Sequence, residues 1–189
     1  MQGAETSPRS SSADPKADVI NAFRKLAGLK TLSAIVDGEG QLALKKDVKY
    51  VAPDRYHIAF DDENGAHVEM IIIADETYIK DGDSWNKIPG RQALVPSFRN
   101  SFTDEVLETI SDVKFEGDDT INGKAALVYS YKLTTKIGNF KITQKLWVDK
   151  SSGLPIKSIA EYAESQEKYL TTVFDSESLV TIEPPPVKK

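Results

Sequence analysis

The chain has two histidines, His57 and His67, and no cysteine. A bound zinc needs three or four ligands, each held in orientation by further hydrogen bonds. Two imidazoles on the outward side of their strands do not supply that, so no metal is expected. Thiol nucleophiles, disulfides and thiolate-ligated metals are excluded outright. Carboxylates cluster at Asp61-Asp62-Glu63 and Asp118-Asp119. Glycosidase-type chemistry would need two such groups facing one another across a cleft, one with its pKa raised by apolar surroundings. Both clusters read instead as polar turns. No serine stands in a Gly-x-Ser-x-Gly elbow, and the eleven glycines never gather into a phosphate-cradling loop. No catalytic residue and no cofactor is expected, and the chain reads as not an enzyme.

The residues whose spacing does suggest a site are apolar. Tyr50, Tyr56, Ile58, Phe60, Met70, Ile72, Leu127, Tyr129, Phe140, Ile142 and Leu146 recur at every second position within their runs, which places each set on one face of a strand. Such rows line a ligand cavity or fill a packed core, and periodicity does not separate the two. In a cavity, the tyrosine hydroxyls are expected near the mouth, where they meet water or a head group. The rows are read as free of Lys and Arg, so head-group charge is expected to matter little.

The elements that must position these rows follow in order. Asp14-Pro15 is an N-cap followed by proline at the first helical position, and Val19, Ile20, Phe23, Leu26 and Ala27 give one apolar face before Gly28. From Thr31 the period becomes two. Strands are predicted around Leu32 to Leu44, Val48 to Ala52, Tyr56 to Phe60, Val68 to Ala74, Tyr78-Ile79 and Trp85 to Ile88. Asn64-Gly65 and Asn122-Gly123 mark turns. Between Arg91 and Ser111 the rhythm breaks. Leu94, Val95 and Phe98 surround Pro96, and Thr103-Asp104-Glu105 begins a second short helix carrying Val106, Leu107 and Ile110, so two short helices are expected as a lid. Strands resume over Val113 to Ile121, then with Leu127 to Leu133, and with Phe140, Ile142, Leu146 and Val148. Asp149 to Gly153 makes a hairpin turn, and Leu154, Ile156, Ala160 and Tyr162 form the next inner row. Tyr169, Thr171 and Val173 alternate, Leu179 to Ile182 closes the sheet, and Pro184-Pro185-Pro186 ends it. About ten strands exceed what one flat sheet carries without curling. The predicted fold is mainly β (α+β), a single strongly curved antiparallel sheet forming an unclosed barrel. An N-terminal helix and short lid helices lie over its concave face.

A chain of 189 residues is most simply one domain. The division expected is a disordered leader over 1–13, one domain over 14–183 and a Pro/Lys tail over 184–189. A net charge of −5 with scattered Lys and Arg argues against nucleic acid as the partner. The longest apolar run, Met70 to Ala74, is far below the roughly 18 residues of a membrane-spanning helix. No basic and apolar targeting segment opens the sequence.

The opening helix, Gly38-Glu39-Gly40-Gln41-Leu42 leading to Pro53-Asp54-Arg55-Tyr56, Asp75-Glu76-Thr77-Tyr78-Ile79 with Trp85, and Lys145-Leu146-Trp147-Val148-Asp149 through Gly153-Leu154-Pro155 come in an order that resembles the LolA/LolB-like lipoprotein-carrier superfamily. Within it the chain looks closest to LppX/LprG-type lipid-binding lipoproteins. The resemblance covers Asp14 to Pro184. It implies an unclosed barrel holding acyl chains, in a protein exported to the periplasm or cell envelope, with its export signal outside these residues. The implied partner is a lipid or the acyl chain of a lipoprotein, bound for transport or lipoprotein sorting. Peripheral or lipid-anchored membrane association and a monomer are also expected. The alternative is a protein-interaction or envelope-stress signalling domain of the same fold with a filled interior. One departure stands out: carriers similar to LolA place an arginine directly before the proline of the second strand, whereas here Ala52 precedes Pro53 and Arg55 follows it.

Overall fold

A computed structural model describes residues 13–39, 45–62, 64–89, 103–134, 141–162 and 169–187. Helix α1 (Pro15–Ala27) begins as its sequence dictates, with the Asp14 side chain accepting from the Ala17 N–H at 3.1 Å and proline in the first turn. It ends where the Gly28 N–H reaches Arg24 O and Lys25 O. Its buried face is Val19, Ala22, Phe23 and Leu26, while Ala27 is exposed and Ile20 half-buried. Thirteen residues are marginal as a free helix, so this face holds α1 in place.

The strands are β1 (Thr31–Glu39), β2 (Lys45–Val51), β3 (Arg55–Asp61), β4 (His67–Ile73), β5 (Glu76–Asp81), β6 (Ser84–Pro89), β7 (Ser111–Ile121), β8 (Lys124–Thr134), β9 (Lys141–Asp149), β10 (Pro155–Tyr162) and β11 (Tyr169–Asp175). A short helix α2 (Asp104–Leu107) precedes β7. All the strands pair antiparallel in one sheet, in the order β6-β5-β4-β3-β2-β1-β11-β10-β9-β8-β7. Consecutive strands are neighbours except β6 and β7, which lie at opposite edges, and β11 returns to pair with β1. Two meanders are thereby joined at the middle, and the sheet stays unclosed between β6 and β7.

Alternation sets the inner face. Leu32 and Ala34, Val48 and Tyr50, Tyr56 and Ile58, and Met70 and Ile72 are buried in one cluster with Leu127, Tyr129, Tyr131, Leu146 and Val148. Helix α1 packs into the same cluster, and so do Leu107 and Ile110 around α2. The lid residues Leu94, Val95 and Phe98 lie outside the described residues, as do Phe140 and Glu63.

Asn122-Gly123 forms the β7–β8 turn with φ of 50° and 80°, the left-handed pair a two-residue hairpin requires. At the β9–β10 turn Gly153, at φ 70°, donates to Asp149 O at 2.8 Å. The Asp149 carboxylate takes the Ser151 and Ser152 hydroxyls at 2.8 and 2.7 Å, and both backbone N–H groups. Burial pushes this carboxyl up, but the Ser152 and Ser151 bonds outweigh it and hold the group below its ordinary value. A carboxyl depressed on folding adds stability that is present above the ordinary carboxylate range and is lost as pH falls through the folded value. Asp149→Asn is therefore expected to cost about 1–2 kcal/mol at neutral pH. The difference from wild type should vanish in thermal melts taken well below about pH 4. An unchanged difference in acid would mean that the loss is one of packing.

Three expectations are corrected. Leu179 to Ile182 is not a strand: Leu179 is 99% exposed, and the chain after β11 runs over the outer face instead. Arg55 donates to Ile182 O at 2.6 Å and pairs with Glu183 at 3.3 Å, and Val187 makes a parallel bridge with Trp85 on β6. An edge strand left bare invites pairing with other chains, and this tail covers part of it. Ile156 is not in the inner row, because a bulge between Pro155 and Lys157 turns it outward against Ala126, Val128 and Trp147. Asp118 and Asp119 lie within β7, not in a turn.

Candidate functional site

The inner rows come together as the strand registers dictate. Tyr50 pairs with Tyr56 and Tyr56 with Ile72, then Val48 with Ile58 and Ile58 with Met70, then Lys46 with Phe60 and Phe60 with Val68. On the other half Leu127 pairs with Val148, Tyr129 with Leu146 and Leu133 with Ile142. Of the proposed lining, Tyr50, Tyr56, Ile58, Met70, Ile72, Leu127, Tyr129, Ile142 and Leu146 are buried and Phe60 is half-buried.

Burial varies along these rows. Ile72, Tyr129 and Leu146 are fully enclosed, and Thr77 beside Ile72 is equally closed off. Val36, Phe60, Val68 and Leu133 are half-buried while still packing on the core. Leu29, Ala52 and Leu154, at the other ends of these strands, are half-buried on the same core.

The tyrosine hydroxyls do not wait at the mouth. Tyr129 donates to Asp18 Oδ2 on α1 at 2.9 Å, Tyr50 to Pro53 O at 3.3 Å, and Tyr131 to Gln144 Oε1. Burial alone raises the Tyr131 phenol far above its ordinary range. Its ring meets Phe23 edge-on at 6.3 Å, so α1 is fixed to β8 by packing and by the Asp18 bond together. The pairing of Asp18 with Tyr129 spans 111 residues of chain and has no local signature. Arg24 joins α1 to α2 through Asp104 at 2.9 Å, and Lys25 reaches Ser152 O at 2.7 Å.

The groups weighed for chemistry are dispersed. His57 bonds Glu69 at 2.9 Å, which also takes Lys80, whose bond is the largest of the effects holding the Glu69 carboxyl below its ordinary value. His67 bonds Asp61 at 2.8 Å. Asp62 closes the β3–β4 turn by accepting from the Asn64 and Ala66 N–H groups at 2.9 and 2.8 Å. Asp118 pairs with Lys150, while Asp119 accepts from the Trp147 indole at 2.8 Å, so the two carboxylates serve different partners. That indole bond, with the Thr120 N–H, holds the Asp119 carboxyl low. Lys145 and Lys157 lie 5.1 and 5.0 Å from the Trp147 ring on the outer face. Among the described residues no cluster of three or more metal-ligating side chains occurs, and no helix is long and apolar enough to cross a membrane.

An eleven-stranded unclosed antiparallel sheet, apolar inside and crossed by an N-terminal helix, is the fold shared with LppX and LprF. No family model matches the sequence and no curated protein matches it, so the likeness is one of structure. The lipoprotein LppX of Mycobacterium tuberculosis superposes with a TM-score of 0.69 at 12% identity, over 90% of this chain and 99% of that one. LprF from Mycobacterium bovis gives 0.71 at 13% identity, over 95% and 100%. MucB gives 0.53 at 15% identity over 90% of this chain, which spans 62% of the MucB chain.

Proposed function

We propose that this protein is a non-enzymatic protein of the periplasm or cell envelope. It binds a lipid, or the acyl chain of a lipoprotein, on the concave apolar face of its sheet, for transport or lipoprotein sorting. The observation that carries this reading is the continuous apolar inner face of an unclosed sheet. On that face Val36, Phe60, Val68 and Leu133 keep part of their apolar surface exposed. The lining comprises Tyr50, Tyr56, Ile58, Phe60, Met70, Ile72, Leu127, Tyr129, Ile142 and Leu146. The likeness to LppX and LprF supports the same reading.

Native mass spectrometry of protein purified gently from a cell envelope is expected to show added masses matching lipids, lost on activation in the gas phase. A clean apo mass under conditions that preserve other lipid complexes would favour the competing reading, a protein-interaction domain with a filled interior. The complete enclosure of Tyr129, Tyr131 and Leu146 beside α1 is what that reading would generalise to the whole face.

A further inference from the structure

The strand register carries one cation onto the inner face. Lys46 pairs with Val36 on one side and Phe60 on the other, and Phe60 pairs in turn with Val68. The lysine therefore stands in a half-buried apolar row of the inner face, contrary to the expectation that the inner rows hold no Lys or Arg. Its ammonium lies 5.9 Å from the centroid of the Phe60 ring, and the residue is itself half-buried. Three outer-face lysines of the same half are matched with carboxylates: Lys49 with Asp47 at 3.8 Å, Lys80 with Glu69 at 2.5 Å, and Lys87 with Glu76. Alternation sends the acidic neighbours of Lys46 to that outer face, where Asp61 meets His67. Among the described residues no carboxylate pairs with Lys46. An ammonium drawn partly out of water, with only a ring face for company, gains most from an anion that arrives with its own apolar body.

We propose that Lys46 is a head-group site, holding the anionic head of an amphiphile whose chain lies along the inner rows toward Tyr50 and Tyr56. This rests on the lipid-binding reading above. From Lys46 to Tyr50 the strand advances four residues, about 13 Å, so a head held at Lys46 leaves the chain running over the Ile58–Met70 row. The shared chemistry is a carboxylate or phosphate monoester on an alkyl chain, and a neutral hydroxyl head would forgo the contact.

The test compares a fatty acid, an alkyl phosphate and a fatty alcohol of equal chain length, with the acid ionised, on wild type, Lys46→Met and Lys46→Arg. Wild type is expected to bind the anionic heads about tenfold more tightly than the alcohol, equivalent to about 1.4 kcal/mol. Lys46→Met should erase that preference while leaving alcohol affinity unchanged, and Lys46→Arg should keep it. A preference for the phosphate alone would support the site and narrow its ligand to phosphate heads. Equal binding of acid, phosphate and alcohol by wild type, or an anion preference that survives Lys46→Met, overturns the head-group site and leaves tail binding standing. Failure to bind any of the three overturns the lipid-binding reading and this site with it.

Discussion

Ile72→Asp is expected to leave the protein largely unfolded at room temperature, while Ile71→Asp leaves it folded. The two residues are neighbours on β4, but alternation puts Ile72 against Tyr56 and Thr77 inside, with no exposed surface. Ile71 faces outward between His57 and Tyr78 and is half-buried. A carboxylate placed at Ile72 has no cation within the row and cannot reach water, and an uncompensated buried charge costs about 3–5 kcal/mol. Together with the roughly 2–5 kcal/mol lost with the isoleucine's own packing, that reaches the lower half of the about 5–15 kcal/mol by which domains are stable. At Ile71 the carboxylate can turn to solvent. The penalty also has a sign in pH: burial raises the introduced carboxyl's pKa, so the defect is present above that raised value and shrinks as acid protonates the group. Thermal melts of both variants at neutral and mildly acidic pH check this. Equal losses for the two would mean that the faces of β4 are assigned wrongly.

The parts of this architecture legible in the sequence are those decided locally. Asp14-Pro15 fixes the start of α1 through one cap bond and one missing donor, and Asn122-Gly123 fixes a hairpin because few other residues accept two left-handed positions. The inner rows from Tyr50 to Ile72 are legible because a strand's side chains alternate and water decides which set is buried. What escaped was set by register or by distant partners. Lys46 follows Lys45 and reads as solvated surface until pairing with Phe60 fixes its face. Ile156 reads as an inner residue because a bulge inserts no recognisable residue type. Tyr169, Thr171 and Val173 alternate convincingly, yet Thr172 and Phe174 are the buried pair, since β11 takes its facing from β1 rather than from its own composition. The tail beyond β11 is held by Arg55, a residue more than a hundred positions away.

The central claim is that the inner face takes up acyl chains, and its driving force is apolar burial. Removing a methylene from water contributes about 0.8 kcal/mol, close to a fourfold change in affinity. A fluorescent fatty-acid series of increasing chain length should therefore bind with affinity rising about fourfold per added carbon until the rows from Phe60 to Tyr56 are covered, and then level off. High salt should weaken every member by a similar, modest factor, because Lys46 touches the head and not the tail. Affinity that climbs with length and then saturates is the result this account predicts. Affinity independent of length, or binding abolished altogether by salt, would show a surface electrostatic contact over a closed core and contradict it.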